Sequence, residues 1–232
     1  MSAWTEVAAR NNAEWCDVIC RMHGAATTFN HDAWTSQTRS RPLYPDAVTL
    51  VAELSVGDLL ARIDCSAGCS IKDSFASLDL SPHGFRVLFD GAWIVGPSRP
   101  VAASDDGPGW ERVRDEAAFV AWEQEWRGDD GPRGSFSAAL LDNDDVAIVA
   151  TRDHDRVMAG AILNQAAGVV GISNFFTAPA VATRSWDGCV AVAGDIFPGV
   201  RLVGYESGSV LATARARGFS SAGALRVWLR DS

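Results

Sequence analysis

The side chains whose types and spacing suit chemistry are, first, cysteines. Cys16, Cys20 and His23 fall at i, i+4 and i+7 of one amphipathic segment, a spacing that can present metal ligands on one side of a helix. Trp15, Val18, Ile19 and Met22 interleave with them, and no second Cys/His cluster lies nearby to complete a ligand set. They therefore read as buried structural thiols, and no metal is expected. Cys65 and Cys69 repeat the spacing, but a cysteine nucleophile would need His83 or His154 as its base, and neither is local. Gly168-Val-Val-Gly171 lacks both the spacing and the lysine of a nucleotide loop.

A second candidate region runs from Arg201 to Arg230, and its boundaries are well signalled. Arg201–Tyr205 is apolar and β-prone, and 204–208 is turn-rich. Ser207 or Ser209 can cap a following helix because a hydroxyl there accepts a bond from an orphan N–H. That helix puts Val210, Leu211 and Ala214 on one face and Arg215 and Arg217 in its last turn, where the dipole favours cations. Gly218 suits the left-handed position past its end, and Leu225–Leu229 forms another strand.

The elements before this region follow from periodicity. An amphipathic helix is predicted over 3–23, then an irregular connection over 25–45 and a strand at Ala47–Val51. Helices are predicted at Ser55–Ile63, capped by Ser55, and at Ile71–Leu80. Phe85–Val95 alternates as a strand, or as a hairpin turning at Asp90-Gly91. The stretch 96–109, rich in Pro, Ser, Asp and Gly, is the best internal boundary, and 128–135 contains a second loop. Asp115–Arg127 reads as a helix with Phe119, Trp122 and Trp126 on one face and a Glu123–Arg127 pair. Asp145–Thr151, Val157–Leu163 and Val169–Phe175 read as successive strands. Thr183 caps a helix reaching Phe197, with Val190, Ala193, Ile196 and Phe197 inward.

Composition narrows the function classes. With 47% hydrophobic and 21% charged residues over 232 positions, the chain can bury a substantial core. Its net charge of -9 argues against a nucleic-acid surface and suits a cationic amine as substrate. No apolar run reaches the ~20 residues of a membrane span, and the polar start is unlike a signal peptide. Five cysteines without an export signal fit free thiols in a reducing cytoplasm. A homodimer is compatible with this composition.

The order strand, short helix, Arg217-Gly218-Phe219, strand resembles the C-terminal half of the GCN5-related N-acetyltransferase (GNAT) family, in which a Gly-Phe pair closes the last helix. The resemblance covers 145–230 well and the first half loosely. It implies an α/β (α+β) fold with a mixed, mainly antiparallel central sheet flanked by helices. Residues 1–45 would form an N-terminal helical extension and 46–232 the acyltransferase domain. It also implies that acetyl-CoA or another acyl-CoA lies where strands Val169–Phe175 and Arg201–Tyr205 splay. The acyl donor would be held by backbone groups of Ser173, Asn174 and Phe175, with its pyrophosphate at the next helix N-terminus near Arg184.

The sequence departs from the family pattern at two places. Arg184 and Gly188 are four apart where the pyrophosphate motif has three, with Trp186 between them and Asp187 adjacent. The family's catalytic tyrosine position holds Ala214, and an asparagine position holds Ser207. Tyr205 and Glu206 are the nearby substitutes: Glu206 to take a proton from the attacking amine, Tyr205 to protonate the leaving thiolate. The resemblance therefore implies N-acyl transfer to a small-molecule amine, the alternative being a catalytically degenerate binding or assembly domain.

Overall fold

The computed structural model describes residues 2–96 and 109–231. In chain order the elements are α1 (Ala3–Met22), β1 (Thr27–Phe29), β2 (Ala33–Ser36), β3 (Ala47–Thr49), α2 (Val56–Leu60), β4 (Ser70–Asp73), β5 (Phe85–Val95), β6 (Trp110–Arg112), α3 (Glu116–Arg127), β7 (Val146–Asp153), β8 (Arg156–Ala166), β9 (Val169–Thr177), α4 (Ala182–Ile196), β10 (Leu202–Glu206), α5 (Gly208–Ala216) and β11 (Ser220–Arg230). The strands pair in a mixed, mainly antiparallel pattern with helices packed against them, as expected. The boundary expected at 96–109 lies, apart from its end glycines, outside the described residues. Two compact units divide the chain: Met1–Ile94 with Tyr205–Thr213 and Ser221–Ser232, and Val95–Gly204 with Ala214–Ser220.

In the first unit Ser2 caps α1 by accepting from the Trp4 N–H, and the stripe including Ala9, Trp15, Cys16 and Ile19 is buried. The strand order is β1-β2-β3-β4-β11-β5. β1–β2, β2–β3 and β4–β11 pair antiparallel, and β3–β4 pairs parallel. Leu59, Ile71, Leu80, Phe85 and Trp228 share one core cluster, and Ser55 caps α2 through the Asp58 N–H as predicted.

Two local expectations fail here, and for Phe85–Val95 the strand alternative holds over the hairpin. The stretch 25–45 contains β1 and β2, and Trp34 on β2 is fully buried with its indole N–H donating to Asp17 at 2.9 Å. Ile71–Leu80 is not helical. Its start is β4, and the buried Asp73 carboxylate then accepts the N–H groups of Phe75 and Leu78, closing a turn where a helix would need those N–H groups for its own ladder. Asp90-Gly91 does not turn: β5 is one continuous strand, and Asp90 pairs with Arg226 of β11.

In the second unit the strand order is β10-β9-β8-β7-β6, antiparallel except for β9 with β10. The three predicted successive strands are therefore present, as the antiparallel meander β7-β8-β9. Asp115 caps α3 through the Ala118 N–H. Trp122 of α3 is buried, donates to the Val149 carbonyl at 3.1 Å, and meets the rings of Trp126, Phe136 and Phe176. Glu123 reaches the Phe136 N–H in place of the expected partner Arg127. A Cβ at Gly160 would stand 2.2 Å from the Trp122 Nε1, so β8 admits only glycine there without rearrangement. The helix after β9 begins two residues earlier than expected: Val181 is the N-cap of α4, and Thr183 lies inside the helix. Val190, Ala193 and Phe197 are buried as predicted, while Ile196 is half-buried.

Candidate active site

In the second unit, β9 and β10 run parallel for a short distance. Val170 faces Leu202 and Gly171 faces Val203, with the Val170 N–H donating to the Arg201 carbonyl at 2.9 Å. The register ends there, although β9 continues to Thr177 along β8. A parallel strand that leaves its neighbour turns a row of N–H and C=O groups toward whatever lies beside it, and such groups require partners.

Ser173, Asn174 and Phe175 lie on this stretch. Ser173 is opposite Ile162, and Phe176 is opposite Gly160, so Asn174 and Phe175 together face Ala161 in a β-bulge. Asn174 has φ +53°, a left-handed conformation that asparagine tolerates better than most residues, and its amide reaches Ser173 Oγ at 3.1 Å. The polar pair singled out in the sequence therefore makes a re-aimed strand segment.

The start of α4 also differs from its appearance in sequence. No side chain caps it. Ser185 donates back to the Val181 carbonyl at 2.8 Å and is hydrogen-bonded to the Thr177 hydroxyl at 2.9 Å, which ties the end of β9 to the first turn. Arg184 is exposed in that turn. Asp187 lies deeper in the helix and is paired with Arg217 at 3.0 Å, so its charge is compensated. Trp186 points into the protein at 2% exposure, between Phe175 at 5.1 Å and Phe219 at 5.4 Å (ring centroids). Its indole N–H has no hydrogen-bond partner among the described residues, a burial that ordinarily costs about 1–3 kcal/mol.

The first unit holds the acid–base candidates. The Tyr205 ring stacks on Phe89 at 6.5 Å and meets Trp93 edge-on at 5.6 Å. On it sits the ammonium of Lys72, 4.2 Å from the centroid. Lys72 is the sole lysine, is 5% exposed, and donates to Asn12 Oδ1 of α1 at 2.7 Å. A desolvated ammonium over an aromatic face is held by about 2 kcal/mol. Glu206 is half-buried, and burial pushes its carboxyl from 4.5 up to about 7. β5 passes close beside it: a Cβ at Gly91 would lie 3.1 Å from the Glu206 carbonyl oxygen.

Lys72 and Asn12 are not legible as site neighbours in the sequence, since they are 60 residues apart and the spacing predicts a helix around Lys72. The one signal available was that a single lysine stands in an arginine-rich chain. Ala214 is fully buried and Ser207 exposed, so neither replaces the family's polar pair. Four of the five cysteines are poorly suited to nucleophilic chemistry. Burial pushes the Cys16 and Cys189 thiols up to about 12 and raises Cys20 and Cys69, which keeps them protonated at neutral pH.

No family model and no curated protein matches the sequence. Solved structures do match. A GCN5-related N-acetyltransferase from Kribbella flavida aligns with a TM-score of 0.65 at 13% identity, covering 97% of this chain and 96% of that one. A GCN5-related N-acetyltransferase-like protein from Streptococcus suis 89/1591 aligns with a TM-score of 0.59 at 13% identity, covering 97% and 98%. The chain has the GNAT fold. Within that fold, β9, α4 and β10 are the elements that the sequence resemblance associates with an acyl donor. No helix among the described residues is long and apolar enough to cross a membrane.

Proposed function

We propose that this chain transfers an acyl group, acetyl in the simplest case, from acyl-CoA to an amine of a small molecule. The observation that carries the reading is the early end of the β9–β10 register in a chain of GNAT fold. Backbone groups of Ser173, Asn174 and Phe175 bind the pantetheine arm, and Arg184 with the uncapped first turn of α4 binds the pyrophosphate. Two sequence-level objections to that placement weaken: Trp186 is turned inward, away from a phosphate at the surface, and Asp187 is neutralised by Arg217.

The amine nitrogen attacks the thioester carbonyl carbon, and the proton it sheds passes to the Glu206 carboxylate. The C–S bond then breaks, and the thiolate takes a proton from Tyr205. Exchange with water returns both groups to their starting states. A base that titrates near 7 is about half ionised at neutral pH and strong enough to accept the proton. Much of the acceleration comes from holding amine and thioester together, worth up to about 7–11 kcal/mol in well-oriented systems. The net charge of -9 attracts a cationic amine.

The test is thermal stability with acetyl-CoA and free CoA, using ATP as a control, followed by mass spectrometry of amine panels for acylated product. A ligand at 100 times its Kd adds about 2.7 kcal/mol to stability. Stabilisation by CoA species together with amine-dependent loss of thioester is expected. No stabilisation by any CoA species would overturn the reading.

A further inference from the structure

The acyl length that this site accepts follows from three aromatic rings, given the acyl-CoA reading above. Phe175 is the second residue of the bulge, after Asn174, and its ring meets Trp186 of α4, whereas the next residue, Phe176, meets Trp122 of α3. Adjacent strand residues point to opposite faces, so Phe175 and Trp186 lie on the α4 face of β9. Trp186 in turn meets Phe219. The Phe219 ring reaches the chain beside β10: a Cβ at Gly96 would lie 3.2 Å from Phe219 and 3.3 Å from Leu202, and the Gly96 N–H donates to the Leu202 carbonyl at 2.8 Å. The rings thus run from β9 to β10 across the two strands whose register ends at Gly171 and Val203. Trp186 and Phe219 are almost wholly buried, while Phe175 is half-buried.

We infer that Phe175, Trp186 and Phe219 form a stop that limits the acyl group to about the length of acetyl, with Trp186 the residue that sets the limit. The reading lays the pantetheine arm along Ser173–Phe175, beside the first ring of this row, and the inference sets the acyl tail against that ring. A packed aromatic wall yields no room for added methylenes, each of which would have to displace a ring already in contact on both sides. Replacing the indole with a methyl group opens volume of the kind that accepts an apolar chain.

The experiment measures Kd by calorimetry for free CoA, acetyl-CoA, butanoyl-CoA and hexanoyl-CoA on the wild type, Trp186→Ala and Phe175→Ala. Phe175 is half-buried, and its variant keeps the test informative if Trp186→Ala fails to fold. The expected wild-type result is tight binding of CoA and acetyl-CoA with hexanoyl-CoA at least tenfold weaker. In either variant the hexanoyl-to-acetyl ratio should shift by at least tenfold toward the longer chain, and in Trp186→Ala free CoA should bind within about threefold of wild type. Binding of acetyl-CoA with an unchanged chain-length profile in the variants overturns the inference and leaves the acyl-CoA reading intact. If the wild type binds no CoA species but Trp186→Ala does, the rings fill the groove and do not measure a tail, which also overturns the inference. No binding by any of the proteins overturns both.

Discussion

Burial holds the Glu206 carboxyl at about 7 against an ordinary 4.5, and this predicts opposite effects of Glu206→Gln on stability and on turnover. At low pH the folded and unfolded chains both carry the proton, and the substitution is neutral. Above about pH 4.5 the unfolded chain releases its proton while the folded chain keeps it. Wild-type stability therefore falls as pH rises, until the folded carboxyl ionises at about pH 7 and the fall stops. At ~1.4 kcal/mol per tenfold, the difference between about 7 and 4.5 amounts to roughly 3 kcal/mol, an upper bound for a side chain that keeps some contact with water. Glutamine keeps the shape and cannot ionise, so the variant escapes this loss. Above pH 7 it should be the more stable protein by up to about 3 kcal/mol, or about 6–12 °C in Tm for a chain of this size. Turnover moves the other way. A general base must be ionised, so wild-type kcat/KM should rise about tenfold per pH unit and level off above about pH 7, and the variant should lose roughly 10²–10⁴-fold. Thermal melts of both proteins at about pH 5 and pH 8, beside kcat/KM profiles, measure the two effects. A Tm gap that is the same at both pH values would refute the burial argument. A gap confined to high pH with unchanged turnover would refute the assignment of Glu206 as the base.

Other perturbations read other parts of the fold. Asn12→Ala removes the acceptor of the buried Lys72 ammonium and should destabilise by about 2 kcal/mol in urea unfolding, and in a Lys72→Met background the same change should cost much less. Gly160→Ala places a Cβ 2.2 Å from the Trp122 Nε1 and 2.7 Å from Phe176, so chemical denaturation should show a loss of about 1–3 kcal/mol. Asp115→Ala removes the N-cap of α3 and should cost about 1 kcal/mol, with a neutral result if the packing of Trp122 alone holds the helix. Cys16 and Cys189 should resist thiol-specific labelling in the folded protein at neutral pH and react once it is unfolded, which peptide mass mapping would read.

What the sequence revealed and concealed follows from how far each signal reaches along the chain. α1, α3 and α4 repeat an apolar stripe over several turns, and β7, β8 and β9 are apolar runs between short turns, so a local window contains the whole instruction. β1 and β2 are too short for a period to show. β4 carries Ile71, Phe75 and Leu78 at helical spacing in and after it, which mimics a stripe, yet its conformation is decided by partners on β3 and β11 that no window includes. Asp90-Gly91 carries the residues of a turn but is used otherwise. Gly91 has no positive φ, and its missing side chain admits the Glu206 carbonyl, while Asp90 answers Arg226 on the neighbouring strand. The candidate site divides in the same way. Tyr205, Glu206 and Ser173–Phe175 stand out as candidates in the sequence because residue type and strand position coincide within a few residues. The burial that raises Glu206, the ammonium on Tyr205 and the inward turn of Trp186 come from residues distant in sequence. Those distant contacts also change the chemistry assigned to the local residues. Trp186 and Asp187 looked like obstacles to a phosphate while α4 was considered alone, and they cease to be so once Phe219 and Arg217 are in place beside them.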